Sequence, residues 1–422
     1  MPESNSPIIP KPESGLHPLI HLLLHAALSS SAYLLAALLR LPSLLLHGLH
    51  TYIHPDSPSA SSLRAAIRRP DAPSEPQPRR PRSKPHLRSD DFDESKAQLL
   101  RLRLSDSDLP SRLHFPLFRS AFLSSAAALP NLALPLFPPI PFLAAVLAFS
   151  YLLFALVKLS FDRSSSKQSE KQLSLLSGFI GFLFSLFILF FLAPSLLDFD
   201  LGQSEIARFA VATIAGALSV LIFFPALRFS RAFWLGTDQF RWNLSVVSCP
   251  APIRFLLFLA ILTNIAAPLL WFNPVTSVFP SEIREFRVWV LATAAVSQLV
   301  VLRSNVQMYL NESVLCWYQR LHSSRVPDMD YARAKIFLHN HYICLVVLQC
   351  FAPSTMVLLL LGLSQMKGNL FSGALSFLDG LQDCSDVLKG MALFVAWWIV
   401  FVSAVFTMIN LALYRSGFII FS

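Results

Sequence analysis

A succession of apolar runs, each about twenty residues long and almost free of charge, begins near Leu19 and recurs to Leu411. A helix rises about 1.5 Å per residue and the hydrocarbon layer of a bilayer is about 30 Å thick, so about twenty apolar residues make one crossing. Inside lipid every main-chain N–H and C=O must be satisfied within the segment, which makes the helix the element such runs adopt. The expected fold is therefore all-α, a polytopic integral membrane bundle of about 8–9 transmembrane helices. Composition agrees. Of 422 residues, 54% are hydrophobic, 14% are charged and 36 are Phe, a balance that polar surface cannot cover in water.

Three regions follow. Residues 1–53 hold a polar tail and a first apolar run at 19–39, softened by His21, His25 and the run Ser29 to Ser31, which reads as a signal anchor. Residues 54–112 turn abruptly to Pro, Ser, Arg and acidic side chains, too polar and Pro-rich to pack a core, and read as a disordered basic linker. Residues 113–422 are the multi-pass domain, with runs near 114–136, 141–159, 173–193, 206–226, 255–272, 288–301, 342–363 and 391–413. The surest lies at 175–193, where fourteen of nineteen residues are Leu, Ile or Phe. At roughly 0.3–0.6 kcal/mol each, they favour insertion by about 6 kcal/mol.

Charge orients the bundle. With the amino terminus outside or lumenal, alternate connections and the tail's Arg415 gather 26 of the 34 basic residues on the cytosolic side, against five on the other and three at helix ends. Nine crossings then place the carboxyl terminus in the cytosol; eight remain if the first run only lies in the interface. The basic block 64–88, bounded by Arg64 and Arg88, carries eight positive side chains against two negative and suits anionic lipid headgroups or a partner's acidic surface. Positive charge outside the spans speaks for lipid rather than nucleic acid. Two sequons, at Asn243 and Asn311, fall on the cytosolic side and are expected to be unmodified.

No ionisable residue sits at the centre of a run, which argues against a proton-coupled pump or a voltage sensor. The deep polar residues are amides: Asn264, Gln298 and Gln349, with Asn410 nearer the inner end of the last run. They are read either as interhelical hydrogen bonds or as one polar cavity. Pro225, Pro268 and Pro353 either kink their helices or free carbonyls toward such a cavity. Gly178, Gly181 and the Ala212–Gly216 spacing read as tight helix packing. His17, His21 and His25, spaced by four, are conceivable metal ligands, but no acidic or cysteine ligand accompanies them, so no metal or cofactor is assigned. Five scattered cysteines without CxxC are free thiols. His339 and His341 open the eighth run and read as interfacial packing before acyl-transfer chemistry. No nucleophile elbow, phosphate loop or HExxH occurs, so the chain is not expected to be an enzyme. Residues 303–335 read as an amphipathic helix on the cytosolic surface, with Met308, Leu315, Tyr318 and Leu321 on one face.

Five strings in the second half, FFPALR at 223–228, APLLW at 267–271, RSNVQMYLN at 303–311, LQCFAPSTMVLL at 348–359 and WWIVFVSAVF at 397–406, follow in a characteristic order. In them the chain resembles a plant-type member of the transmembrane protein 161 family over about 200 residues. The first half shares only its outline. The resemblance implies an integral membrane protein without established catalytic activity, whose animal relatives are linked to membrane excitability and potassium currents. Carried over by motif are Pro225, Leu227 and Arg228; Arg303, Ser304, Gln307, Tyr309 and Asn311; Gln349, Ala352 and Pro353; Trp397 and Trp398. Arg228 and Arg303 are expected to end their runs at the cytosolic boundary, and Trp397 and Trp398 to pack between helices. The leading expectation is a non-enzymatic scaffold or modulator of other membrane proteins, such as ion channels. The rival is a channel or transporter lined by Asn264, Gln298 and Gln349.

Overall fold

The computed structural model describes residues 18–54, 99–133, 139–161, 168–192, 197, 199, 205–237, 249–272, 283–321, 329–366 and 382–418. The apolar runs are helices. After α1 (Pro18–Leu38) come a short α2 (Leu41–Leu46), strands β1 (His50–Ile53) and β2 (Leu100–Arg103), then α3 (Phe115–Ala133), α4 (Pro139–Phe161) and α5 (Gln168–Phe187), which loosens into a π-turn over Ile188–Leu192. The long α6 (Glu205–Thr237) precedes α7 (Ala251–Leu269), α8 (Ile283–Val300), α9 (Leu302–Leu321), α10 (Met329–His341), α11 (Ile343–Ser364) and α12 (Gln382–Ser416).

Among the described residues, seven helices are long and apolar enough to cross a membrane: α1, α4, α5, α6, α7, α11 and α12. The pair α8 and α9 qualifies as an eighth, broken span, bent by 44° at Val301. The chain is thus an integral, multi-pass membrane protein. The expected crossing at 114–136 is the helix α3, diluted by Arg119, three serines and Asn131; it packs at bundle depth against α1, α4 and α11. At 33 and 35 residues, α6 and α12 measure about 50 Å and outrun the hydrocarbon layer, so their ends project from it.

Burial sorts the helices. In α11, 89% of the most apolar stretch is buried and the helix forms the axis of the bundle; in α1 the share is 11%, and Leu23, Leu34 and Leu35 face outward. In a soluble protein that surface would aggregate; in lipid it is solvated. Helix directions follow from named contacts. Phe118 meets Phe351 and Leu132 meets Gly362, so α3 and α11 run parallel. Phe223 packs on Phe406 and Arg231 reaches Tyr414, so α6 and α12 are parallel too. Gly178 and Phe182 oppose Val220 and Gly216, so α5 and α6 are antiparallel. These directions match a chain whose spans alternate, although α3 is not among the helices apolar enough to qualify as a span.

The glycine reading holds. A Cβ on Gly178 would collide with Val220, and one on Gly216 would come within 2.7 Å of Phe182 Cβ. Small residues let α5 and α6 approach closely where dispersion, not water release, holds helices together.

Two strands modify the helical expectation. β1 and β2 pair antiparallel with His50 opposite Arg103 and Ile53 opposite Leu100. The end of the region read as a disordered linker is ordered: β2 and the buried Leu104 and Leu109 fall inside 54–112, while the basic block 64–88 lies outside the described residues. β1 packs on α9 and α10, marking the strand end of the bundle.

Candidate functional site: a mid-depth chamber and a strand clasp

A chamber opens where α6, α7, α8, α11 and α12 converge beside the α8–α9 elbow. Its wall presents the amides of Asn264, Gln298 and Asn305, the hydroxyls of Ser354 and Ser403 and the thiol of Cys350. About 40 Å³ is open to the centres of water-sized molecules. Roughly 10–15 Å³ suffices for one water, so the space admits more than one. Among the described residues, none of its lining side chains carries a formal charge.

The chain builds this space from two kinds of irregularity. Gln298 and Asn305 stand on either side of the break at Val301, so the elbow brings an amide from each half of a broken span to one wall. Non-regular backbone at membrane depth is tolerated where it lines a polar cavity, and broken helices in transporters serve that purpose. Pro225 and Pro353 also line the chamber while their helices run on through them. Each lacks an N–H, which deprives the carbonyls of Leu221 and Gln349 of their helical donor. Pro268 plays another part, its carbonyl accepting Trp397 Nε1–H at 3.2 Å.

The amides do not form the interhelical bonds offered as one reading of the sequence. Gln298 Nε2 and Asn305 Oδ1 are buried without a protein partner. Leaving such a group unpaired costs about 1–3 kcal/mol, which a bound water or solute would offset. Asn410 bonds its own helix, at the Phe406 carbonyl, 2.8 Å away. The expected trio separates: Asn264 and Gln298 share the chamber, whereas Gln349 is buried beyond its wall with Oε1 unpaired.

At the strand end, α9 holds β1. Gln307 Oε1 accepts the His50 N–H at 2.8 Å and its Nε2 donates to the His50 carbonyl at 3.2 Å, so one side chain pairs the outer edge of the strand as a neighbouring strand would. Asn311 Oδ1 accepts from Gln307 at 2.9 Å and from the Tyr52 hydroxyl at 3.0 Å; Asn340 Nδ2 donates to the Tyr52 carbonyl at 2.6 Å. Arg303 reaches the His47 carbonyl at 2.9 Å. The motif RSNVQMYLN is thus a clasp for β1. Burial raises the Tyr52 pKa. The imidazole of His50 is pushed down, first by burial and then by Arg101, Arg103 and Arg303.

Three expectations change here. α9 is no surface helix: Met308 and Leu315 are buried, but so are Val306, Leu310, Val314 and Trp317 on its other faces, enclosed by α6, α10, α11 and β1. Arg228 does not end a helix, because α6 continues to Thr237; its guanidinium lies over the Tyr309 ring, 5.4 Å from the centroid. Arg303 opens α9 and serves the strand. Beside Arg228, His339 stacks on Tyr309 at 4.4 Å and its Nδ1 lies 2.9 Å from the Lys335 carbonyl, with burial lowering its pKa. His341 stacks on Phe337, so the two histidines serve packing. His25 meets Asn131 at 3.1 Å; His17 lies outside the described residues.

Trp397 and Trp398 are fully buried between helices, as expected. Trp398 Nε1–H donates to the Ala215 carbonyl at 2.9 Å and to Ser219 Oγ at 3.1 Å, locking α12 to α6. Asn305, Ser354, Ser403 and Asn340 were not singled out from the sequence. A search for polar residues adjacent to the deep prolines finds Ser354; nothing local marks the others. No family model matches the chain, and no solved structure matches it.

Proposed function

We propose that this multi-pass protein provides a non-enzymatic pathway for a small polar solute or ion across its membrane, with the chamber as its binding point. One observation carries the reading: amides from both sides of a broken span, Gln298 and Asn305, meet Asn264 at mid-depth with polar atoms left unpaired by protein. The orientation adopted is amino terminus outside or lumenal and strand end cytosolic, supported by the excess of basic residues on that side. Full-length protein reconstituted in liposomes should carry a flux above protein-free vesicles. Gln298→Leu should reduce it by at least tenfold while the protein melts as the wild type does. A folded wild type that moves nothing refutes the proposal.

The scaffold reading draws on a different observation. The clasp fixes both edges of the region containing the basic block at the surface of the bundle. In this reading the basic block 64–88 between those edges meets anionic headgroups or another membrane protein, including an ion channel as the family resemblance implies. Co-purification in mild detergent separates the two readings: a stoichiometric membrane partner favours the scaffold.

A further inference from the structure

Resting on the pathway reading, we infer that the chamber selects a small neutral solute that both donates and accepts hydrogen bonds, and excludes ions. The chemistry of the wall decides. An amide offers a donor and an acceptor whichever way it is turned, and three amides with two hydroxyls can meet both halves of a neutral partner such as water, a urea-like amide or a small polyol. A cation would leave the amide donors facing it, and an anion would meet the amide oxygens.

Ion filters use rings of converging carbonyls or rings of charge to replace the lost hydration shell. Here the rest of the wall is apolar, from Ala294, Ala295, Val357, Ile399 and Val400, and the described lining residues include no carboxylate. An ion would lose its water without a substitute. The nearest field is also hostile to cations. Arg228 stands on α6 between the lining residues Pro225 and Phe229, its guanidinium over the Tyr309 ring. The acidic groups nearby, Glu170 and Glu312, lie 3.8 and 3.9 Å from Arg231 rather than in the chamber. With about 40 Å³ for water-sized centres, the space suits molecules of a few heavy atoms.

The test uses full-length protein in liposomes, with urea and glycerol as neutral probes read by osmotic swelling, and potassium and chloride read by ion-selective electrodes on the same vesicles. Neutral-probe permeation should exceed that of protein-free vesicles several-fold, fall back in Gln298→Leu and Asn305→Leu, and leave ion leak at background. Asn305→Asp at pH 8 places a carboxylate in the wall and should create a potassium leak at least tenfold over wild type. Wild-type ion flux abolished by Gln298→Leu overturns the inference while leaving the pathway standing. Absence of both fluxes from correctly melting protein overturns the pathway itself. Asn305→Asp that alters neither flux shows that permeation bypasses the chamber, and sinks the inference.

Discussion

Replacing Gln307 by Leu should free β1 from the bundle without disturbing the helices around it. Gln307 makes two bonds to the main chain of His50, at 2.8 and 3.2 Å. Each contributes about 1 kcal/mol net, and a leucine of comparable length makes neither. The loss is about 2 kcal/mol of docking free energy, or roughly a thirtyfold rise in the open population at 1.4 kcal/mol per decade. Hydrogen exchange read by mass spectrometry reports it directly: peptides covering His50–Ile53 and Leu100–Arg103 should exchange faster by that factor, with α11 as internal reference. Gln307→Glu should fall between, because a carboxylate still accepts the His50 N–H but cannot donate to its carbonyl. If Gln307→Leu leaves β1 exchange unchanged while α11 is also unchanged, the clasp does not hold the strand and the role assigned to the α9 motif is wrong.

Other consequences follow from the same geometry. Gly178→Leu has no room against Val220 and should destabilise the α5–α6 contact by about 1–3 kcal/mol, seen as a lower melting temperature in detergent; an unchanged melt refutes the close approach. Trp398→Phe keeps the ring but removes the donor to Ala215 and Ser219, and should cost about 1–2 kcal/mol by the same measurement. Strand docking should weaken on acidification. His50 titrates below its ordinary value of 6.5, so the docked state binds fewer protons than the undocked one; docking is strongest above about pH 6.5 and is lost as pH falls toward the lowered value. After correction for intrinsic rates, β1 exchange should be faster at pH 5.5 than at pH 7.5, and His50→Gln should flatten that difference. Asn311 lies in a sequon, yet it is 3% exposed and held by Tyr52 and Gln307. The folded protein should carry no glycan there, and a glycosidase-sensitive mass shift abolished by Asn311→Gln would contradict this placement.

Much of the fold was legible because lipid imposes one rule on every span. The run at 175–193 and its neighbours had to be helices, and the small-residue spacing on α5 and α6 had to be an interface, since each follows from local composition. The departures share a cause. α9 reads as a surface helix by its mean polarity, and sequence periodicity cannot reveal that Gln307 and Asn311 would be consumed by a strand over 250 residues away. β1 itself is four residues of no special pattern. It is a strand because β2 and Gln307 occupy its two edges.

The chamber was half legible for a related reason. Amides at depth had two competing fates, and only tertiary geometry chooses between them. Had Asn264 and Gln298 faced opposite helices at bonding distance, each would have closed an interhelical contact and rigidified the bundle. The 44° bend at Val301 instead leaves Gln298 of α8 and Asn305 of α9 lining one space with Asn264. Gln349 shows the converse: it lies one turn before Pro353 on the most buried helix, near the same space, yet beyond its wall. A sequence counts polar residues at depth, whereas the packing around a single broken span decides which of them share a chamber.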